Sequence, residues 1–186
     1  SAGAVVHRCH TRQIDRLGGL LRQMPRAGAL FAVGAVAICG LPPLNGFVSE
    51  LLIYLGIFDA AHLTGGIHWV PAALAGPVLA LIGALALACF VKVFGAVFLG
   101  QPRSPDAAGA GDAGWAMTGP MVVLGGLCVF IALGARAVAP ALDAAIASFA
   151  PATAGLSVSA LAPLGTVGWI QALLVACLAL VALGLV

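Results

Sequence analysis

Charge is what this sequence has least of. Asp, Glu, Lys and Arg make up 8% of its 186 residues, whereas 62% are hydrophobic; a soluble domain carries about 25% charged residues. Too few charges remain to coat a water-facing surface, which excludes an ordinary soluble globular enzyme. High apolar content with a net charge of only +2 excludes a disordered chain as well. Aromatics are scarce at 6%, and the small net charge forms no basic face, so nucleic acid is not an expected partner. The five cysteines are odd in number. Cys39, Cys89, Cys128 and Cys177 lie inside apolar runs as small hydrophobes, and no disulfide framework follows. There is no Cys-rich iron–sulfur motif, phosphate-binding loop, dinucleotide fingerprint or Ser-His-Asp set. The chain is therefore expected to hold no cofactor and no redox or hydrolytic centre of its own.

What is plentiful is apolar sequence punctuated by 25 Gly and 11 Pro, both commoner in membrane helices than in soluble ones. The composition is that of an integral membrane protein, and the expected fold class is all-α, a polytopic transmembrane helical bundle. The chain opens on Ser1 and closes at Val186 within an apolar run, which suggests a portion of a longer polypeptide.

Residues 1–26 are the polar part, with Arg8, Arg12, Arg16, Arg22 and Arg26. Ile14, Leu17, Leu20, Leu21 and Met24 recur at helical spacing, so a loop carrying a short amphipathic interfacial helix is expected, weakened at Gly18-Gly19. Four apolar stretches follow, at 27–61, 71–99, 117–139 and 163–186, with loops at 100–116 and 140–162. About 20 apolar residues cross a bilayer, so the last three stretches fit single spans. The first is too long, and its middle reads Gly40-Leu41-Pro42-Pro43-Leu44-Asn45-Gly46. Two prolines disfavour helix there, so the expectation is one helix, a break at Pro42, Pro43, Asn45 and Gly46, and a second half-helix from about Phe47. Non-helical backbone at membrane depth is tolerated only inside protein or beside a wet cavity. The arginines put 1–26 and 100–116 on the cytoplasmic side, with Arg136 as the exception. Trp69 and Trp115 fall at the predicted interfaces.

Glu50 leads the candidates for chemistry. Burial in a span favours its protonated form, and the positive end of the second half-helix favours the anion. Opposed effects of similar size leave a carboxyl able to exchange a proton near neutral pH. The alternative is a first-turn Glu facing headgroups, with Asn45 or Ser49 as cap. Lys92, the single lysine, sits in an apolar stretch about two turns from its cytoplasmic end; it either snorkels to the interface or exchanges protons through water with Glu50. His62 and His68 flank the outer loop and could serve a proton exit, though an interfacial His needs no such role. His7, Cys9 and His10 lack a second ligand pair, so no metal site is expected. Asp15 beside Arg12 and Arg16 reads as a solvated charge pattern.

Three strings carry a resemblance: Thr11-Arg12-Gln13-Ile14-Asp15-Arg16-Leu17-Gly18-Gly19-Leu20 with Met24-Pro25; Leu41-Pro42-Pro43-Leu44-Asn45-Gly46-Phe47-Val48-Ser49-Glu50; and Phe98-Leu99-Gly100. Together they resemble the antiporter-like proton-translocating subunits of complex I and membrane-bound hydrogenases, in particular the hydrogenase-4 component B and formate hydrogenlyase branch. The resemblance covers roughly residues 7–104. It implies two inverted helical repeats, each with a broken helix, of which this chain holds the C-terminal part: 27–139 from the antiporter-like domain and 163–186 as an added helix. It places Glu50 at the family's terminal ionisable position on the proton path. Lys92 is carried over on the following helix. It implies a multi-pass bacterial inner-membrane protein whose partners are the lipid bilayer, protons and other membrane subunits of a hydrogenase or NADH:quinone oxidoreductase-like complex, which perform the redox chemistry. A multisubunit Na⁺/H⁺ antiporter subunit and a structural membrane anchor are the rival readings.

Overall fold

A computed structural model of the chain describes residues 2–63, 69–149 and 163–184. These residues form α-helices and one 3₁₀ turn, with no strand among them: α1 (Ala2–Cys9), the 3₁₀ turn Ile14–Arg16, α2 (Leu20–Gln23), α3 (Pro25–Ile38), α4 (Asn45–Leu63), α5 (Trp69–Phe98), α6 (Pro105–Ala108), α7 (Trp115–Leu133), α8 (Ala135–Phe149) and α9 (Pro163–Gly184). The all-α expectation holds. Residues 73–98 and 115–133 are long and apolar enough to cross a membrane. At 1.5 Å per residue, α5 is about 45 Å long and α7 about 28 Å, against a hydrocarbon core of about 30 Å. Leu74, Leu85, Val91, Val123 and Leu124 on these helices stand 60–63% exposed in the chain alone. A soluble protein does not leave such faces uncovered; lipid or protein must cover them.

The contacts divide the chain into two compact units. One holds Ser1–Cys39 and Gly83–Leu127, the other Gly40–Ile82 and Cys128–Val186. In the first unit, Cys9, Leu20, Met24, Ala27, Phe98 and Ala107 are buried in a common core. Phe31 meets Phe98 at 5.2 Å and Phe94 at 6.3 Å between ring centroids, tying α3 to the end of α5. In the second unit, Val48 of α4, Ala135 of α8 and Val167 of α9 form the core, with Phe47, Leu51, Leu52 and Ala139 packed around them.

The polar N-terminal segment carries short helical pieces, α1, a 3₁₀ turn and α2, and it turns at Gly18-Gly19, where the sequence weakens the stripe. Leu17, Leu20 and Met24 are buried as a stripe would place them, but Ile14 is 45% exposed and the chain turns between them. Gly18 (φ +146°) and Gly19 (φ +63°) adopt conformations an L side chain rarely takes, and a Cβ at either would strike Gln101 or Pro102. The Gly19 amide donates to the Leu99 carbonyl at 2.9 Å. Continuous helix gives way there to close packing on the 99–103 loop. This brings the two polar segments expected on one membrane side into direct contact within the first unit.

Three further boundaries differ. The stretch at 117–139 is interrupted at Gly134, whose amide donates to the Phe130 carbonyl at 2.7 Å while its own carbonyl receives the Ala137 amide at 2.8 Å. Residues 140–149, expected in a loop, belong to α8. The segment is rich in Ala, the best helix former, and Pro140 near its start removes one ladder bond without ending it. The rest of that expected loop, 150–162, lies outside the described residues. Within the loop at 100–116, Ser104 accepts the Ala107 amide at 3.2 Å and Pro105 occupies the first helical position, which nucleates α6.

Candidate functional site

The break lies at residues 39–44, between the end of α3 and the start of α4. Gly40 (φ +64°) takes the left-handed conformation that commonly follows a helix end. Pro42 and Pro43, joined by a cis peptide, follow in the non-helical segment. The Leu44 amide closes a turn on the Leu41 carbonyl at 3.2 Å, and α4 then begins. Asn45 and Gly46, expected inside the gap, are instead the first two residues of α4.

That shift places Glu50 at the sixth position of α4, beyond the first turn, where the positive end of the helix acts more weakly. Helical side chains lean toward the N-terminus, and the Glu50 carboxyl follows that rule. It folds back over Gly40, whose added Cβ would fall on the carboxyl atoms. The carboxyl is half-buried and makes no hydrogen bond or ion pair among the described residues. Neither suggested cap acts as one. The Ser49 hydroxyl donates to the Gly46 carbonyl at 2.9 Å, and Asn45 Oδ1 is buried with no hydrogen-bond partner among the described residues. The second unit therefore holds an acid against non-helical backbone, with an unsatisfied amide oxygen at the same helix start. Unpaired polar groups of this kind are rare in folded interiors.

Lys92 lies on α5 in the first unit, exposed in the chain alone and without an ion pair among the described residues. His62 falls in the last turn of α4, and His68 lies outside the described residues. His7 and His10 are exposed, Cys9 is fully buried, and no group of three potential metal ligands occurs among the described residues. Burial, then the charge of Asp106, raises the Cys9 thiol above its ordinary value, the behaviour of a core residue rather than a reactive one. Asp15 is exposed on the 3₁₀ turn.

Two acids escaped the sequence reading. Asp59 lies nine residues after Glu50 on α4 and is exposed; at 100° per residue it projects from the opposite face. The signal that marked Glu50, an acid in an apolar stretch, applied to it equally. Asp112 had no such signal. Its carboxylate accepts the Arg26 amide at 3.3 Å and the Ala27 amide at 3.4 Å, capping α3, and stands 3.9 Å from Arg26 Nε. The Arg8 guanidinium donates to its backbone carbonyl at 2.7 Å, and the Arg26 guanidinium lies 5.4 Å from the centre of the Trp115 ring. The α3 half of the broken helix is thus anchored by a residue 85 positions downstream of Ala27.

Residues 1–76 match the family described as NADH:quinone oxidoreductase/Mrp antiporter, transmembrane. Over 143 residues the chain is 40% identical to Hydrogenase-4 component B of Escherichia coli (strain K12), covering 75% of this chain and 21% of that protein. It is 37% identical over 145 residues to Formate hydrogenlyase subunit 3 of the same organism, covering 78% and 24%. A shorter match, 47% identical over 64 residues, joins it to NAD(P)H-quinone oxidoreductase chain 4 1 of Synechococcus elongatus, covering 34% of this chain and 12% of that protein. The chain spans less than a quarter of the length of each of these relatives.

Proposed function

We propose, from the premise that the chain belongs through residues 1–76 to the NADH:quinone oxidoreductase/Mrp antiporter transmembrane family, that it is part of a proton-translocating membrane subunit. The subunit serves a membrane-bound hydrogenase or NADH:quinone oxidoreductase-like complex in the bacterial inner membrane. Redox chemistry occurs in partner subunits, and Glu50 changes protonation in response. The observation that carries this reading is the position of the Glu50 carboxyl, turned back against the left-handed Gly40 in the helix break and left without a partner among the described residues. Broken backbone at membrane depth belongs beside protein or water, and an intramembrane acid is expensive unless it has work to do. Lys92 is the second titratable group of the path. Residues 1–26 and 100–116 face the cytoplasm, as their arginines favour.

The test uses the full-length subunit in its complex. Glu50→Gln keeps the shape and removes the exchangeable proton. It should abolish or strongly cut proton movement across the membrane while leaving assembly and electron transfer intact, with Asp59→Asn as the matched control. Unchanged proton movement in Glu50→Gln would remove Glu50 from the mechanism.

A further inference from the structure

Gln171 sits in α9, fully enclosed, and neither its Oε1 nor its Nε2 has a hydrogen-bond partner among the described residues. It follows Val167 by one helical turn, and Val167 packs with Ala135 of α8 and Val48 of α4. Gln171 therefore belongs to the helix face that meets the core of the second unit, and residues one turn apart share a face. Helix α7 ends at Leu133, whose carbonyl oxygen stands 3.4 Å from the Cβ position of Gly168. In α8, Pro140 has no amide to offer the carbonyl of residue 136.

A carboxamide presents two donor hydrogens and an acceptor oxygen. Leaving all of them unanswered in an apolar interior is strongly unfavourable. Because this chain already encloses Gln171, a side chain from another protein segment could reach it only by prising the helices apart. A water molecule needs far less room. Elsewhere in the same unit, α4, α7 and α8 leave a half-open apolar cleft of about 30 Å³, lined by Val48, Leu52, Ile131, Ala135, Val138 and Leu142 and not by Gln171. One water needs roughly 10–15 Å³ of space and two or more polar partners. That cleft offers no polar group to hold a water, whereas the carboxamide does.

We propose that the Gln171 carboxamide binds a water molecule near the junction of α7 and α8, giving the unit that carries Glu50 a hydrated interior point. The water site stands on the burial of Gln171; its use as a step for protons rests on the function proposed above.

The experiment is radiolytic footprinting of the full-length protein in its complex, in H₂¹⁸O, where radicals born from bound water oxidise the adjacent side chains. Val167 and Leu174 should take up ¹⁸O several-fold faster than Leu173, which is 65% exposed on the outer face. Gln171→Leu should erase that excess, and Gln171→Asn, which keeps a carboxamide, should retain part of it and serves if the Leu variant fails to assemble. No excess in the wild type, or an excess unchanged in Gln171→Leu, would overturn the proposal. Glu50→Gln separates the two readings: persistent ¹⁸O excess in that variant supports the water site whether or not proton movement survives.

Discussion

The two helices that flank the break begin in opposite ways. Helix α3 starts with Pro25 at its first position and has its early amides answered by Asp112, with Arg26 and Arg8 gathered on the same residue. Helix α4 starts with a buried Asn45 oxygen that nothing answers and carries Glu50, whose carboxyl is also unpaired among the described residues. One start is built to hold still. The other keeps polar groups in reserve, which stability alone does not explain, and such groups gather where a protein does chemistry.

The largest expected effect comes from disturbing the second start. Gly40→Ala puts a Cβ into a left-handed conformation and onto the Glu50 carboxyl. The backbone strain alone costs about 1–3 kcal/mol. The variant of the full-length protein should melt lower and lose proton movement together, and a wild-type melting temperature with full activity would refute the contact. Next is the first start. Asp112→Ala should cost about 1 kcal/mol, the usual worth of a capping side chain. The 3.3 and 3.4 Å bonds are long, which favours the lower half of the range. Thermal unfolding reads this, and proton movement should survive in the assembled fraction. Arg26→Ala should do less, about 0.5 kcal/mol, because the Arg26 side chain is 61% exposed and an exposed ion pair contributes little. Equal losses in the two variants would mean that the ion pair, not the cap, holds α3.

The smallest effect concerns Cys9. Burial and Asp106 raise its folded value above the unfolded one, so folding favours the protonated thiol. That contribution is fully present below the unfolded value and fades as pH rises through the folded one. Alkylation of Cys9 in the native protein should therefore lag far behind the denatured chain at mildly alkaline pH and accelerate only at higher pH. Equal rates at mildly alkaline pH would show that the thiol is not enclosed.

Helix existence was legible wherever apolar runs were long, and the break was legible because Pro42-Pro43 acts locally. The limits lay where distant segments decide. Gly18 and Gly19 take their conformations against Gln101 and Pro102, so the short stripe of Leu17, Leu20 and Met24 is buried without being one helix. Asp112 caps α3 across 85 residues, a distance no local pattern can show. Pro140 argues for a loop at 140–149, whereas the surrounding Ala-rich segment carries the helix past it. Glu50 was visible as an acid in an apolar run. Its return onto Gly40 needed the three-dimensional structure.

The central claim, that the Glu50 carboxyl takes up and releases a proton during turnover, is tested most directly by redox-triggered infrared difference spectroscopy of the intact complex. The wild type should show a carboxylic-acid carbonyl band that appears or vanishes with turnover, and Glu50→Gln should lack it. The same band persisting unchanged in Glu50→Gln would contradict it.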